Sequence, residues 1–287
     1  MVIVITGIIG GMVAVFLKAP VQQYMDVGRR ADMTDIADTA LRRISRDLRL
    51  ALPNSVSVTI SNGARGAGGC TGNNICFIEF LPTSGGGRYR RNGADRLDFD
   101  LPADTTFDVL GPVPPINATA GVDQIVVYNL GIAGATAYEN NSSRTAGAVS
   151  VLGNVITLVG GKRFPFESPG ARFQVISRPV TYVCEPAPGG VNGRLTRYWG
   201  YDILLNQPNG VNVTNQLLDS GGVVLANQNR ALLATNVSTC GFTYEANVVS
   251  SQRAGLVTMR LAITEPNPSG GDETVSLYSA THVSNLP

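Results

Sequence analysis

MVIVITGIIGGMVAVF, residues 1–16, decides how the rest of this chain is read. The run carries no charge; Lys18 and Pro20 follow it, and then a long charged stretch with helical periodicity begins. A secretory signal has basic residues ahead of its apolar run and a small-residue cleavage site behind it. Neither flanks this run, and the helical pattern continues past it. The expectation is a membrane-rooted stalk carrying a separate head. Residues 1–17 form the transmembrane or filament-core segment, 18–52 an amphipathic stalk helix and 53–287 the head. The apolar segment is assigned to Met1, Val2, Ile3, Val4, Ile5, Ile8, Ile9, Met12, Val13, Val15 and Phe16. At about 1.5 Å per residue the run gives roughly 24 Å of helix, short of a bilayer core of about 30 Å. Met1 is therefore read as an internal methionine, with apolar residues preceding it.

Moving outward, Met33, Ile36, Ala37, Ala40, Ile44 and Leu48 recur at three- and four-residue steps and mark the face that packs on the head. Acidic and basic residues occupy the other faces; Asp38 and Arg42 stand at the attractive i,i+4 spacing. Arg29, Arg30 and the arginines from 42 to 49 read either as a solvated face or as contacts to neighbouring copies or lipid phosphates. Pro53 and Asn54 stop the helix, and Pro20 and Gly28 loosen its upper part.

Beyond residue 54, short β-branched runs alternate with Gly, Asn and Pro, and 33 glycines and 16 prolines stand in the whole chain. That pattern predicts a β-rich antiparallel head. Strands are expected near 55–60, 75–81, 124–130, 155–159, 172–184, 194–201, 241–245, 256–264 and 273–281. A hairpin of 88–91 with 96–99 is expected about Asn92-Gly93, and the last two strands pair across a Pro/Ser/Gly turn. The fold class is thus α+β: a long N-terminal helix, part membrane and part amphipathic, packed on a β-rich head. Four cysteines allow three pairings. Cys70 and Cys76 flank a turn-prone TGNN, and Cys184 and Cys240 each adjoin a strand-like run, which favours Cys70–Cys76 and Cys184–Cys240. Disulfides suit an oxidising compartment.

Little else in the chain suggests chemistry. Net charge is +1 with 15% charged residues, which leaves no footprint for nucleic acid. His282 is the single histidine, no G-x-S-x-G elbow accompanies it, and no C-x-x-C pair exists. Gly160-Gly161-Lys162 lacks the order of a phosphate loop. Asp272 and Glu273 could hold a cation weakly, but solvated turn charges are the better reading. No catalytic residue, cofactor or metal is expected, and the chain is not read as an enzyme. Trp199 with Tyr198 and Tyr201 offers a possible sugar-stacking platform, which gives the alternative of an anchored glycan-binding module.

Several stretches resemble one family. MVIVITGIIGGMVAVF is similar to the first helix of type IV prepilins, entered a few residues late. RRISRDLRLALPNSV (42–56) resembles the lower stalk of J-type minor pseudopilins, and more closely that of MshO-type minor pilins of mannose-sensitive haemagglutinin pilus biogenesis. FIEFLPTSGGGRYR (77–90), FDVLGP (107–112), VVYNLG (126–131), SPGARFQVIS (168–177), LTRYWGY (195–201) and ETVSLYSATHVSNLP (273–287) resemble the same group. The basic leader, its glycine and the Phe-Thr-Leu-Ile-Glu that follows in prepilins are not in this sequence, so no processing site is assigned. The resemblance implies a minor pilin that primes a fibre or caps its tip. It would sit in the inner membrane with its head in the periplasm before assembly, and in the pilus afterwards. The implied partners are other minor and major pilins, an inner-membrane assembly platform and the bilayer. A minor pseudopilin of a type II secretion system is the neighbouring alternative.

Overall fold

A single helix, α1, runs from Val2 to Leu48. The computed structural model describes residues 2–66, 68–117, 122–140, 142–145, 149–246, 254–267 and 270–287; the side chains of 14, 15, 17–19 and 21 lie outside that description. Met1 and the side chain of Val15 are therefore not described. Below Asp32 the helix places Met33, Ala37, Ala40, Leu41, Ile44 and Leu48 on one buried stripe. Ile36 lies at its edge, half-buried. The spacing is that of an amphipathic helix on a core, and Leu41 extends the stripe beyond the positions picked from the sequence. The helix ends in turns at Arg49 and Leu50, where Leu52 N–H bonds to Leu81 O at 2.7 Å.

The strands that follow build three main sheets. A four-stranded sheet contains, in order, β17 (Asp272–Ser284), β16 (Ala254–Pro266), β15 (Val237–Glu245) and β2 (Gly69–Cys70). A five-stranded sheet has the order β1 (Ser57–Ile60), β3 (Cys76–Phe80), β10 (Val180–Glu185), β11 (Arg194–Trp199) and β14 (Asn229–Thr235). A six-stranded sheet has the order β6 (Gln124–Val127), β9 (Arg172–Ile176), β4 (Thr83–Tyr89), β5 (Asp104–Leu110), β8 (Val155–Lys162) and β7 (Val149–Leu152). A small hairpin joins β12 (Gly210–Val211) to β13 (Leu217–Leu218). All the pairings described are antiparallel, as short loops between successive strands favour.

The largest core lies where α1 meets two sheets. Its stripe packs with Ile78, Phe80, Tyr182 and Leu195 of the five-stranded sheet and with Phe242, Val257, Met259 and Leu261 of the four-stranded sheet. Both disulfides stand in this core: Cys70–Cys76 and Cys184–Cys240, with Cα separations of 5.6 and 6.5 Å. Each joins a strand of the four-stranded sheet to a strand of the five-stranded sheet, and Cys76 faces Cys184 in register across β3 and β10. A second core, around Tyr89, Phe107, Phe173 and Val175, fills one face of the six-stranded sheet. Leu52, Leu81, Val126, Tyr138 and Ile176 join that lobe to the rest. A fourth cluster holds Phe77, Tyr198, Tyr201 and Leu217 behind the five-stranded sheet.

Three expectations are corrected. The fold class is not α+β: strand accounts for 42% and helix for 16%, a mainly β protein. The single helix meets the sheets only through its lower part, where the stripe from Met33 to Leu48 was expected to pack. The inner-membrane, single-pass anchor with a periplasmic head is also overturned: among the described residues no helix is long and apolar enough to cross a membrane. The physical reason is the short reach of the uncharged run, which Lys18 ends. Finally, β4 pairs with β5 and β9, not with residues 96–99. Asn92-Gly93 belongs to an irregular connection in which Leu97 N–H bonds to Arg90 O at 3.1 Å.

Candidate interaction surface

The upper part of α1 stands free of the sheets, and its apolar residues are bare. Val2, Ile3, Val4, Ile5, Ile8, Ile9, Met12, Val13 and Phe16 are all exposed, with Ile3 at 86% and Phe16 at 85%. The exposed stretch continues past Pro20 through Tyr24, Met25 and Val27. A helix apolar on all sides belongs inside something, and exposed apolar surface of this extent marks an interaction site. Thr6, the polar side chain within the run, donates through Oγ1 to Val2 O at 3.0 Å and to Ile3 O at 3.1 Å. It is therefore satisfied by its own helix.

The glycines of the rod sharpen the point. A Cβ at Gly7, Gly10 or Gly11 would meet nothing within 4 Å. Each glycine costs a helix interior about 1 kcal/mol relative to alanine, and nothing among the described residues requires them. Small residues of this kind let backbones approach closely where helices meet.

Ionic contacts fasten the rod to the head at two heights. Near its middle, Arg29 and Arg30 both pair with Glu273 at the start of β17, and Arg29 also pairs with Asp26. The side-chain bond from Arg30 is the main influence lowering the Glu273 pKa. At the lower end, Asp47 accepts from the Tyr182 hydroxyl at 2.7 Å and from Arg197 Nε at 3.0 Å, with Arg43 Nε at 3.3 Å. Burial, then the bond to Asp47, raises the Tyr182 pKa. Arg197 also lies over the Trp199 ring, 4.7 Å from its centroid. The arginine-rich face is therefore divided: Arg29 and Arg30 hold the hairpin, Arg42 pairs with Asp38 at 2.6 Å, and Arg49 is exposed. Glu273, Tyr182 and Arg197 are far from α1 in sequence, and no local spacing marks them as its partners.

The remaining sequence candidates do not converge. Tyr198 and Tyr201 are fully buried, so neither ring can stack on a sugar, and the platform read around Trp199 is removed. His282 is exposed on β17. Lys162 is buried beside the Phe164 ring. Glu273 is taken up by the two arginines. Among the described residues no group of His, Cys, Asp and Glu could hold a metal ion. Comparison with family models, with curated proteins and with solved structures gives no match.

Proposed function

We propose that this protein is a minor subunit of a type IV pilus-like fibre, of the MshO type, acting where a fibre is primed or its tip is formed. The bare apolar rod, with glycines that nothing among the described residues requires, is the observation that supports this reading. In a fibre the rod would lie among the equivalent helices of neighbouring pilins. Covering each large apolar side chain there would contribute about 1.5–3 kcal/mol. The head, carried on the lower helix and fixed through Glu273 and Asp47, would present its sheets outward and set position. Two disulfides inside the head suit a protein that works in an oxidising compartment.

The test is incorporation. The full chain carrying Ile9→Asp or Gly10→Leu should fold its head, with both disulfides formed, yet be lost from sheared fibres, and fibre number should fall. Equal incorporation of the variants and the parent would overturn the reading, as would fibres of normal number and composition in cells lacking the chain.

A further inference from the structure

The outer face of the six-stranded sheet carries an arrangement that neither the rod nor the head core explains. Arg88 on β4 and Arg172 on β9 are register partners. The Tyr89 N–H bonds to Ala171 O at 2.9 Å, which makes Arg88 and Arg172 a non-hydrogen-bonded pair. In such pairs the Cα atoms approach to about 4.5 Å and the side chains are closest. Both side chains are exposed. Like charges directly opposite one another destabilise a sheet, and here no acid relieves them. Arg88, Arg172 and Arg49 are the arginines among the described residues with neither an ion pair nor a side-chain hydrogen bond. Around Arg88 and Arg172 on that face lie Gly86, Gln174 and Leu110, and the acid two residues along β5 from Leu110, Asp108, is taken by Arg90.

A concavity of about 440 Å³ opens elsewhere, on β11 and β14; the one beside this pair, about 410 Å³, is lined by Arg88, Arg90, Arg91 and Gly170. Arg90 is neutralised by Asp108 at 3.0 Å and Arg91 by Glu167 at 2.8 Å. Arg91 also donates to Pro169 O at 2.7 Å, pinning the floor. Arg172 stands at the rim, outside the lining, with its Nε 3.1 Å from where a Cβ on Gly170 would lie. Two arginines are thus tied down as a frame, and two are left with donors free.

We propose that Arg88 and Arg172 form a binding site for a doubly charged tetrahedral oxyanion, a phosphate or sulfate monoester. Paired guanidinium forks match such a group, with parallel N–H···O bonds to its oxygens. A dianion also removes the repulsion across the strand pair. The whole chain has a net charge of only +1, so no broad field gathers a polyelectrolyte, and recognition rests on short-range contacts. The site is independent of the rod and stands whether or not the chain is a fibre subunit.

The test uses the full chain, with inorganic phosphate as the free probe and dextran sulfate as the polymer-borne one, against chloride at equal ionic strength. Phosphate should bind in calorimetry and raise the melting temperature. Arg172→Glu should raise the melting temperature of the protein in chloride, since it gives Arg88 an acid across the strand pair, and should abolish the phosphate response. Arg88→Lys with Arg172→Lys keeps the charge but loses the forks, and should weaken binding about tenfold or more. Arg49→Gln should change nothing. If dextran sulfate retains the parent and free phosphate elutes it, the ester is carried on a polymer. If only free phosphate binds, the small ion is the ligand. An equal phosphate response in the parent and Arg172→Glu would overturn the proposal. So would retention by poly-glutamate with no response to phosphate, which would instead make the pair a contact for acidic protein.

Discussion

At the residue scale, the Glu79 carboxylate lies deep in the head, 1% exposed. It accepts from Arg65 Nη2 at 2.8 Å and from the Tyr201 hydroxyl at 3.3 Å, and Arg65 in turn lies 3.5 Å from the centroid of the Tyr138 ring. Removing one member of a buried pair leaves the other charge uncompensated, at a cost of about 3–5 kcal/mol. Arg65→Met should therefore lower the urea unfolding free energy by that order, and Arg65→Met with Glu79→Leu should recover much of it. Titration gives a second expectation. Burial pushes the phenols of Tyr89 and Tyr198 up to about 12 from 10.0. The folded state favours their protonated form, so the stability they contribute is complete below pH 10.0 and is lost as the pH rises towards 12. Lys162 behaves in the opposite sense. Burial, then the Arg144 charge, pulls its ammonium down to about 8 from 10.5. Its penalty is constant below 8 and fades as the pH rises to 10.5. Denaturation midpoints should climb slightly above pH 8 and fall beyond 10, and Lys162→Met should remove the climb. None of this is visible in the sequence, because Glu79, Arg65 and Tyr201 meet only through the pairing of distant strands.

At the element scale, α1 shows what periodicity can and cannot reveal. The stripe through Met33, Ala37, Ala40, Ile44 and Leu48 is legible because a helix repeats its buried face at short intervals. The strands were harder. β4 reads TSGGGRY, and three successive glycines suggest a loop; they are needed because Pro114, the backbone of Phe173 and the Phe173 ring leave no space for a Cβ at 85, 86 and 87. β5 and β14 carry no clear strand pattern because polar residues interrupt their apolar positions, and their faces are decided by sheet neighbours rather than local pattern. In the rod, Gly10→Ala should raise helicity by about 1 kcal/mol at that site, measurable by circular dichroism of the peptide 1–30, while reducing recovery of the full chain in fibres. Improved helicity with unchanged recovery would show that close approach at this glycine is not used.

At the scale of the whole molecule, two sheets and a helix are joined at one core, and the two disulfides tie the sheets together there. Closing a loop restricts the unfolded chain, more so for a longer loop. The separations are 56 residues for Cys184–Cys240 and 6 for Cys70–Cys76. Replacing the first pair with alanines should cost about 4 kcal/mol and the second about 2 kcal/mol, read from chemical denaturation of each variant. The helix stands out in the sequence because its pattern is the most regular in the chain, whereas the strands that dominate the fold are short and interrupted.

The fastening of α1 by Glu273 above and Asp47 below has a mechanical consequence. A pull along the rod enters the head as shear spread over several helical turns, not as peeling from one end. From Asp47 the tension passes through Tyr182 and Arg197 into β10 and β11, and β10 is clamped covalently to β15 by Cys184–Cys240. Under reducing conditions the same tug should unravel the head at a lower force.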